Sequence, residues 1–211
     1  MISLPQLRTC FAALRKAAWR DDRAAQLVEF AVSLPLLVVF VVGIFDFSGA
    51  YTLKQKLTNV ARDAARAAAA DPSNDLQSPS SSLPASVSDA FQVVFNYLVA
   101  NKINTCNMTS GLGINGPAET WSFSSSGNGC TGTGLIIKIN RGYVFAANGA
   151  NQPAAVNCTT QAPGAQTAVI GTCVSIQYAY QWQFGRVASL LGSSVALPSN
   201  ISAVAVAMNE N

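Results

Sequence analysis

Residues 27–47 read LVEFAVSLPLLVVFVVGIFDF, an apolar stretch broken near its start by one carboxylate, Glu29. A helix needs about 20 such residues to cross a bilayer, so the stretch predicts a membrane span. It is longer than the roughly 7–15-residue core of a secretion signal. Ser48-Gly49-Ala50 offers small residues for a signal cut before Tyr51, but the helical pattern continues straight across them. The expectation is an anchor that is retained. A carboxylate within a span costs of order 2.5–3.5 kcal/mol on insertion scales and marks a functional position.

The flanks give the expected orientation. Arg8, Arg15, Lys16, Arg20 and Arg23 outnumber Asp21 and Asp22 before the span. After it, Lys54, Lys56, Arg62 and Arg66 are balanced by Asp46, Asp63, Asp71 and Asp75. Basic residues beside a span mark the cytoplasmic side, so the N-terminus is expected inside and the C-terminal domain outside. The formal charge of +3 therefore gives no sign of a nucleic-acid partner; membrane lipid is the partner the span implies. Trp19 on one side and Phe45, Phe47 and Tyr51 on the other suit the aromatic belts of the two interfaces. Asp46, at the outer edge of the span, is expected to be solvated there.

The helix is expected to start near Asp21 or Asp22, which suit an N-cap and first turn. It should run to about Ala70, with Pro35 inside it as a site of kinking. Beyond Tyr51, Leu53, Leu57, Val60, Ala61, Ala64 and Ala68 recur at three- and four-residue steps, an apolar stripe of small residues. Such a stripe admits a second helix closely or packs on the chain's own outer domain. Some of both is expected. Asp71-Pro72 ends the helix, and Ser73 to Ser82 is a Ser- and Pro-rich connector.

A second helix is expected over Pro84–Asn101, with Val87, Phe91, Val94, Phe95, Leu98 and Val99 on its apolar face. From Thr105 the pattern turns strand-like. Expected strands are Thr120–Ser124, Leu135–Asn140, Tyr143–Ala146, Cys173–Phe184 and Ile201–Met208. In VSIQYAYQWQF, Val174, Ile176, Tyr178, Tyr180 and Trp182 share one face, as in an antiparallel sheet covered on one side. The fold class is α+β: a long N-terminal helix followed by an antiparallel sheet covered by the second helix. The organisation is a basic leader (1–24), the long helix (25–71, spanning at 27–47 and amphipathic over 50–70), a linker (72–83) and an outer domain (84–211).

Cysteine placement agrees with that topology. Cys10 lies on the inner side, and Cys106, Cys130, Cys158 and Cys173 lie outside. Four cysteines in an oxidising compartment imply two disulfides. Three connectivities are possible; nearest-neighbour pairing, Cys106–Cys130 and Cys158–Cys173, is the expectation. Zinc is disfavoured by the absence of histidine and of a close Cys-x-x-Cys pair. No cofactor and no metal are expected. Without histidine, Ser-His-Asp and Cys-His catalysis are excluded. The outer carboxylates Asp75, Asp89, Glu119 and Glu210 form no close pair, and there is no phosphate-binding G-x-x-x-x-G-K-[ST] loop. The chain is not expected to be an enzyme. Trp121, Phe123 and Tyr143, in a Ser/Gly-rich setting, are either core residues or contacts for a surface or sugar. A permanently anchored binding or adhesion module keeping Met1 to Ala24 is therefore the rival reading.

The segment from Ala24 through Val28-Glu29-Phe30-Ala31 and Pro35 resembles the N-terminus of TadE-like minor pilins (pseudopilins) of the tight-adherence, Flp-type pilus. The ending ISAVAVAMNEN is similar to that family's C-terminal strand and Ala-x-Ala-Met motif. The resemblance implies a pilin-like protein inserted in the inner (cytoplasmic) membrane, with its outer domain periplasmic or, in a pilus, extracellular. It implies as partners a prepilin peptidase, the minor and major pilins of the same pilus and an inner-membrane assembly platform. The matched cut lies between Ala24 and Ala25, making Glu29 the fifth residue of the mature chain, followed by Phe30. The family pattern has Gly before the cut; this chain has Ala24, the nearest steric substitute. From the residues alone, Glu29 pairs with an α-amine in an assembly or merely snorkels or is protonated at the interface.

Overall fold

Forty-nine consecutive residues, Asp22–Ala70, form one helix, α1, with Pro35 inside it. The helix stops where Asp71 precedes Pro72, because the proline ring disfavours helical geometry in the residue before it. The computed structural model describes residues 22–72, 76, 83–109, 114–116, 120–145, 158, 169–183 and 197–210. Residues 1–21 of the expected leader (1–24) and most of the Ser/Pro connector lie outside the described residues. Two compact units share α1: its stretch up to Phe47 belongs to one, and from Ser48 onward it belongs to the other, the head.

In the first unit, Leu27, Phe30, Val32, Phe40, Ile44 and Phe45 are exposed. The helix is long and apolar enough to cross a membrane. Exposing so much apolar surface to water is unfavourable by about 25 cal/mol per Å², so this face calls for lipid or protein around it.

In the head, the second helix α2 spans Ala85–Ala100, with Pro84 as its N-cap residue. The five strands are β1 (Ile114–Gly116), β2 (Thr120–Ser125), β3 (Leu135–Phe145), β4 (Val169–Ala179) and β5 (Asn200–Met208). They form one antiparallel meander in the order β1-β2-β3-β4-β5. Alternation sorts the side chains. Trp121 and Phe123, then Leu135, Ile137 and Ile139, then Val174 and Ile176, then Ile201 and Ala203 are all buried in one core. From α1 that core takes Leu57, Val60, Ala61, Ala64, Ala65 and Ala68; from α2 it takes Val87, Ala90, Phe91, Val94 and Leu98. The Phe91 and Phe123 rings lie 4.6 Å apart and join α2 to the sheet.

Several sequence expectations are corrected. Val99 is 54 % exposed and so lies off the buried face of α2, which includes Ala90 instead. Leu135–Asn140 and Tyr143–Ala146 are one strand, interrupted by a register shift between Asn140 and Tyr143. There the Asn140 Oδ1 accepts from the Gly142 N–H at 2.9 Å, while its Nδ2 donates to the Cys158 carbonyl at 2.8 Å. The strand expected over Cys173–Phe184 begins earlier, at Val169, and ends at Ala179, where its partner β5 runs out at Asn200. Its second face is not simply wet. Cys173, Cys158 and Tyr143 form a small buried cluster there, against Val204 and Val206.

Helix α2 ends in a Schellman arrangement: Ile103 N–H donates to Leu98 O at 2.9 Å and Lys102 N–H to Val99 O at 3.1 Å. The left-handed position this requires is held by Lys102, with φ of 55°. A side chain there costs about 1–2 kcal/mol relative to glycine. Lys102→Gly is therefore expected to stabilise the head by about 1 kcal/mol, read as a rise in the denaturant midpoint at unchanged slope.

Candidate functional site

The helical periodicity that forms α1 also sets what its N-terminal end can do. Ala24 and Ala25 lie in its first turn, and Glu29 follows Ala25 by four residues. Residues four apart share a helix face, about 6 Å apart along the axis. An α-amine created at Ala25 would thus stand on the face of Glu29, one turn away. Cleavage there would also move Glu29 into the second turn of a new helix N-terminus. Near such an end, unpaired N–H groups and the helix dipole favour a carboxylate.

Glu29 and Phe30 are both exposed. The residues one turn either side of Glu29 are Ala25, Gln26, Val32 and Ser33, none of them basic. Within its own helix the carboxylate therefore has no cation one turn away; a new amine at Ala25 would supply one. Just beyond, Ser33 Oγ donates to the Phe30 carbonyl at 3.2 Å, and Pro35 removes the N–H that would have met Ala31.

The small-residue stripe has a different destination from the one that would serve a second helix. Ala61, Ala64, Ala65 and Ala68 are at most 3 % exposed, and they are buried in the head's own core. Their small size lets α1 lie close to α2 and the sheet. The stripe is therefore covered within the head, whereas the apolar N-terminal half of α1 is exposed.

The four cysteines after α1 pair as Cys106–Cys130 and Cys158–Cys173, with Cα–Cα separations of 5.5 and 5.6 Å. The first ties the segment after α2 to the β2–β3 hairpin. The second ties Cys158 to β4, where Cys173 pairs with Asn140. Trp121 and Phe123 are 4 % and 1 % exposed and Tyr143 is 8 % exposed, so none of the three is a surface for a sugar or a partner.

Sequence reasoning gave no role to a polar cluster at the end of α1. Arg141 is buried at the β3 irregularity and donates through Nη2 to the Pro72 carbonyl at 3.4 Å. Burial pushes the Asp71 carboxyl above its ordinary range, Asp89 adds to that, and Arg141 opposes it. The one sequence signal for it is Asn140-Arg141-Gly142 set between two apolar runs. Asp46, expected to be solvated at the outer edge of the span, is buried.

Residues 24–66 match the family model described as TadE-like protein. The match begins at Ala24, includes Glu29, Phe30 and Pro35, and ends within α1. No curated protein and no solved structure matches the chain.

Proposed function

We propose that this chain, a TadE-like protein of the tight-adherence pilus system by its N-terminal helix, is a minor pilin (pseudopilin) of that pilus. It sits in the inner membrane by a single span, N-terminus in, with a disulfide-bonded head in the periplasm. A prepilin peptidase removes residues 1–24. The mature chain is then drawn by the inner-membrane platform into contact with the other minor and major pilins, at the base, shaft or tip of the pilus. It acts by packing rather than by catalysis.

The observation that carries this reading is the join of two features in one helix. An exposed apolar half bears a carboxylate with no basic neighbour one turn away, and the family match begins at Ala24 and takes in this apolar half. An anchor alone requires no charge at position 29, whereas a subunit that must find one register among apolar helices gains from one. The burial of Trp121, Phe123 and Tyr143 weakens the rival reading of an anchored adhesion module, because it removes the aromatic surface proposed for it.

Deleting the gene for this chain tests the role. The expected result is loss of surface pili by electron microscopy, with the major pilin retained in the membrane, and recovery when the full chain is supplied in trans. Pili of normal number and length in the deletion would contradict it.

A further inference from the structure

The head has two unlike ends. At one, α1 enters: the Tyr180 hydroxyl lies over Gly49, so close that a Cβ there would meet it at 3.1 Å, and Lys54 Nζ donates to the Ser202 carbonyl. At the other, the Glu210 N–H donates to Ala69 O at 3.3 Å and Arg141 reaches Pro72. The strands thus run along the head from one end to the other, and register places the rest. Leu135 opposes both Ser125 and Tyr178, so the exposed β2–β3 hairpin belongs to the entry end. Asn104 Nδ2 donates to Asn128 O at 2.8 Å, which brings the exposed Lys102 to the same end.

Charge and aromatic residues divide accordingly. The entry end carries Lys54 and Lys102 together with Tyr180 and Trp182. These two rings meet edge to face at 4.9 Å, and the Trp182 indole donates to Pro198 O at 2.6 Å. The described carboxylates of the head, Asp63, Asp71, Asp89 and Glu210, lie further along α1 or at the far end. Asp46, on the helical turn before Gly49, is buried and engaged in an interaction.

Gly49 lies only two positions beyond Phe47, the last of the apolar run. Two residues of chain reach at most about 7 Å. The headgroup layer on each face of a bilayer is about 5–8 Å thick. Along the chain, the entry end therefore begins within about one headgroup layer's thickness of the end of the apolar run. Tyr and Trp rings favour this depth because one edge is apolar and the other hydrogen-bonds.

We propose that the entry end of the head is a membrane-docking collar. In it Tyr180 and Trp182 sit among the headgroups, while Lys54 and Lys102 face anionic phospholipid. The collar rests on the single-span reading above. Before assembly it holds the head down on the outer surface of the inner membrane, so that extraction into a filament must break this contact as well as withdraw the helix.

The test uses the full chain, labelled with 5-fluorotryptophan, in nanodiscs containing phosphatidylglycerol. Trp182→Phe identifies the Trp182 fluorine resonance, and buried Trp121 is the reference within the head. A Phe40→Trp variant adds a resonance inside the span as a control for anchoring. The expected result is that a gadolinium-chelating headgroup lipid broadens Trp182 several-fold more than Trp121, while a lipid nitroxide-labelled at its chain end broadens the added resonance of the Phe40→Trp control. Broadening of the control resonance with Trp182 no more affected than Trp121 would overturn the collar and leave the anchor standing. An unbroadened control resonance would overturn both.

Discussion

In cells carrying Glu29→Ala, the expected result is full insertion of the protein and no surface pili. Removing a carboxylate from an apolar helix makes insertion easier, by of order 2.5–3.5 kcal/mol on translocon scales. The head core is built from Ala50 onward and does not use position 29. Membrane extraction and head stability should therefore equal the parent's. What is lost is the complementarity of the mature end: an α-amine at Ala25 and a carboxylate one turn away, each costly in low dielectric unless paired. Glu29→Gln separates charge from shape. If the charge selects the register, both variants lack pili. Normal piliation in either variant would mean that Glu29 only snorkels to the interface.

The second large effect is expected in the head. Replacing Cys106 and Cys130 together by serine should destabilise it by about 3 kcal/mol, the chain-entropy value for a loop of this length. The bridge closes 24 residues and joins the α2 C-terminal segment to the β2–β3 hairpin. The Cys158–Cys173 bridge closes 15 residues and lies on the other face of the sheet, so its removal should add to the first. Since a domain of this kind holds only about 5–15 kcal/mol in total, loss of both bridges should leave little folded head. Guanidinium unfolding followed by Trp121 fluorescence gives the measurement. A loss below about 1 kcal/mol for the first pair would mean that the denatured chain is already held compact there.

How much of this is legible in the sequence depends on whether the signal is local. Helix α1 is readable almost to the residue, because Asp22 at its start and Asp71-Pro72 at its end are local signals. The buried face of α2 is readable for the same reason, apart from Val99, which lies off the face of Val87, Phe91, Val94 and Leu98. Strands are harder, because a strand is defined by its partner. β1 has three residues and exists through its pairing with Trp121 and its neighbours. β4 ends at Ala179 although Tyr180 and Trp182 continue its alternation, and beyond it single bonds reach across, from Tyr180 N–H to Ser199 O at 3.0 Å and from the Trp182 indole to Pro198 O. The Asn140 irregularity reads in sequence as a break between two strands, since nothing local distinguishes a bulge from a turn. The fate of the alanine stripe is open in principle: close packing on another helix and close packing on the chain's own sheet leave the same residues. For the N-terminal end, the pattern Val-Glu-Phe-Ala is legible at once. The cluster of Asp71, Asp89 and Arg141 is not, because its members come together from three elements far apart in sequence.

The central claim is that this anchored chain is processed as a pilin. Its most direct test is the intact mass and N-terminal sequence of the protein isolated from its native membrane without reduction. The account predicts a chain that begins at Ala25 and carries both outer disulfides. A chain retaining Met1 to Ala24 would contradict it and return the protein to a permanently anchored module. A start at Tyr51 would mean that the apolar helix is a secretion signal and not an anchor.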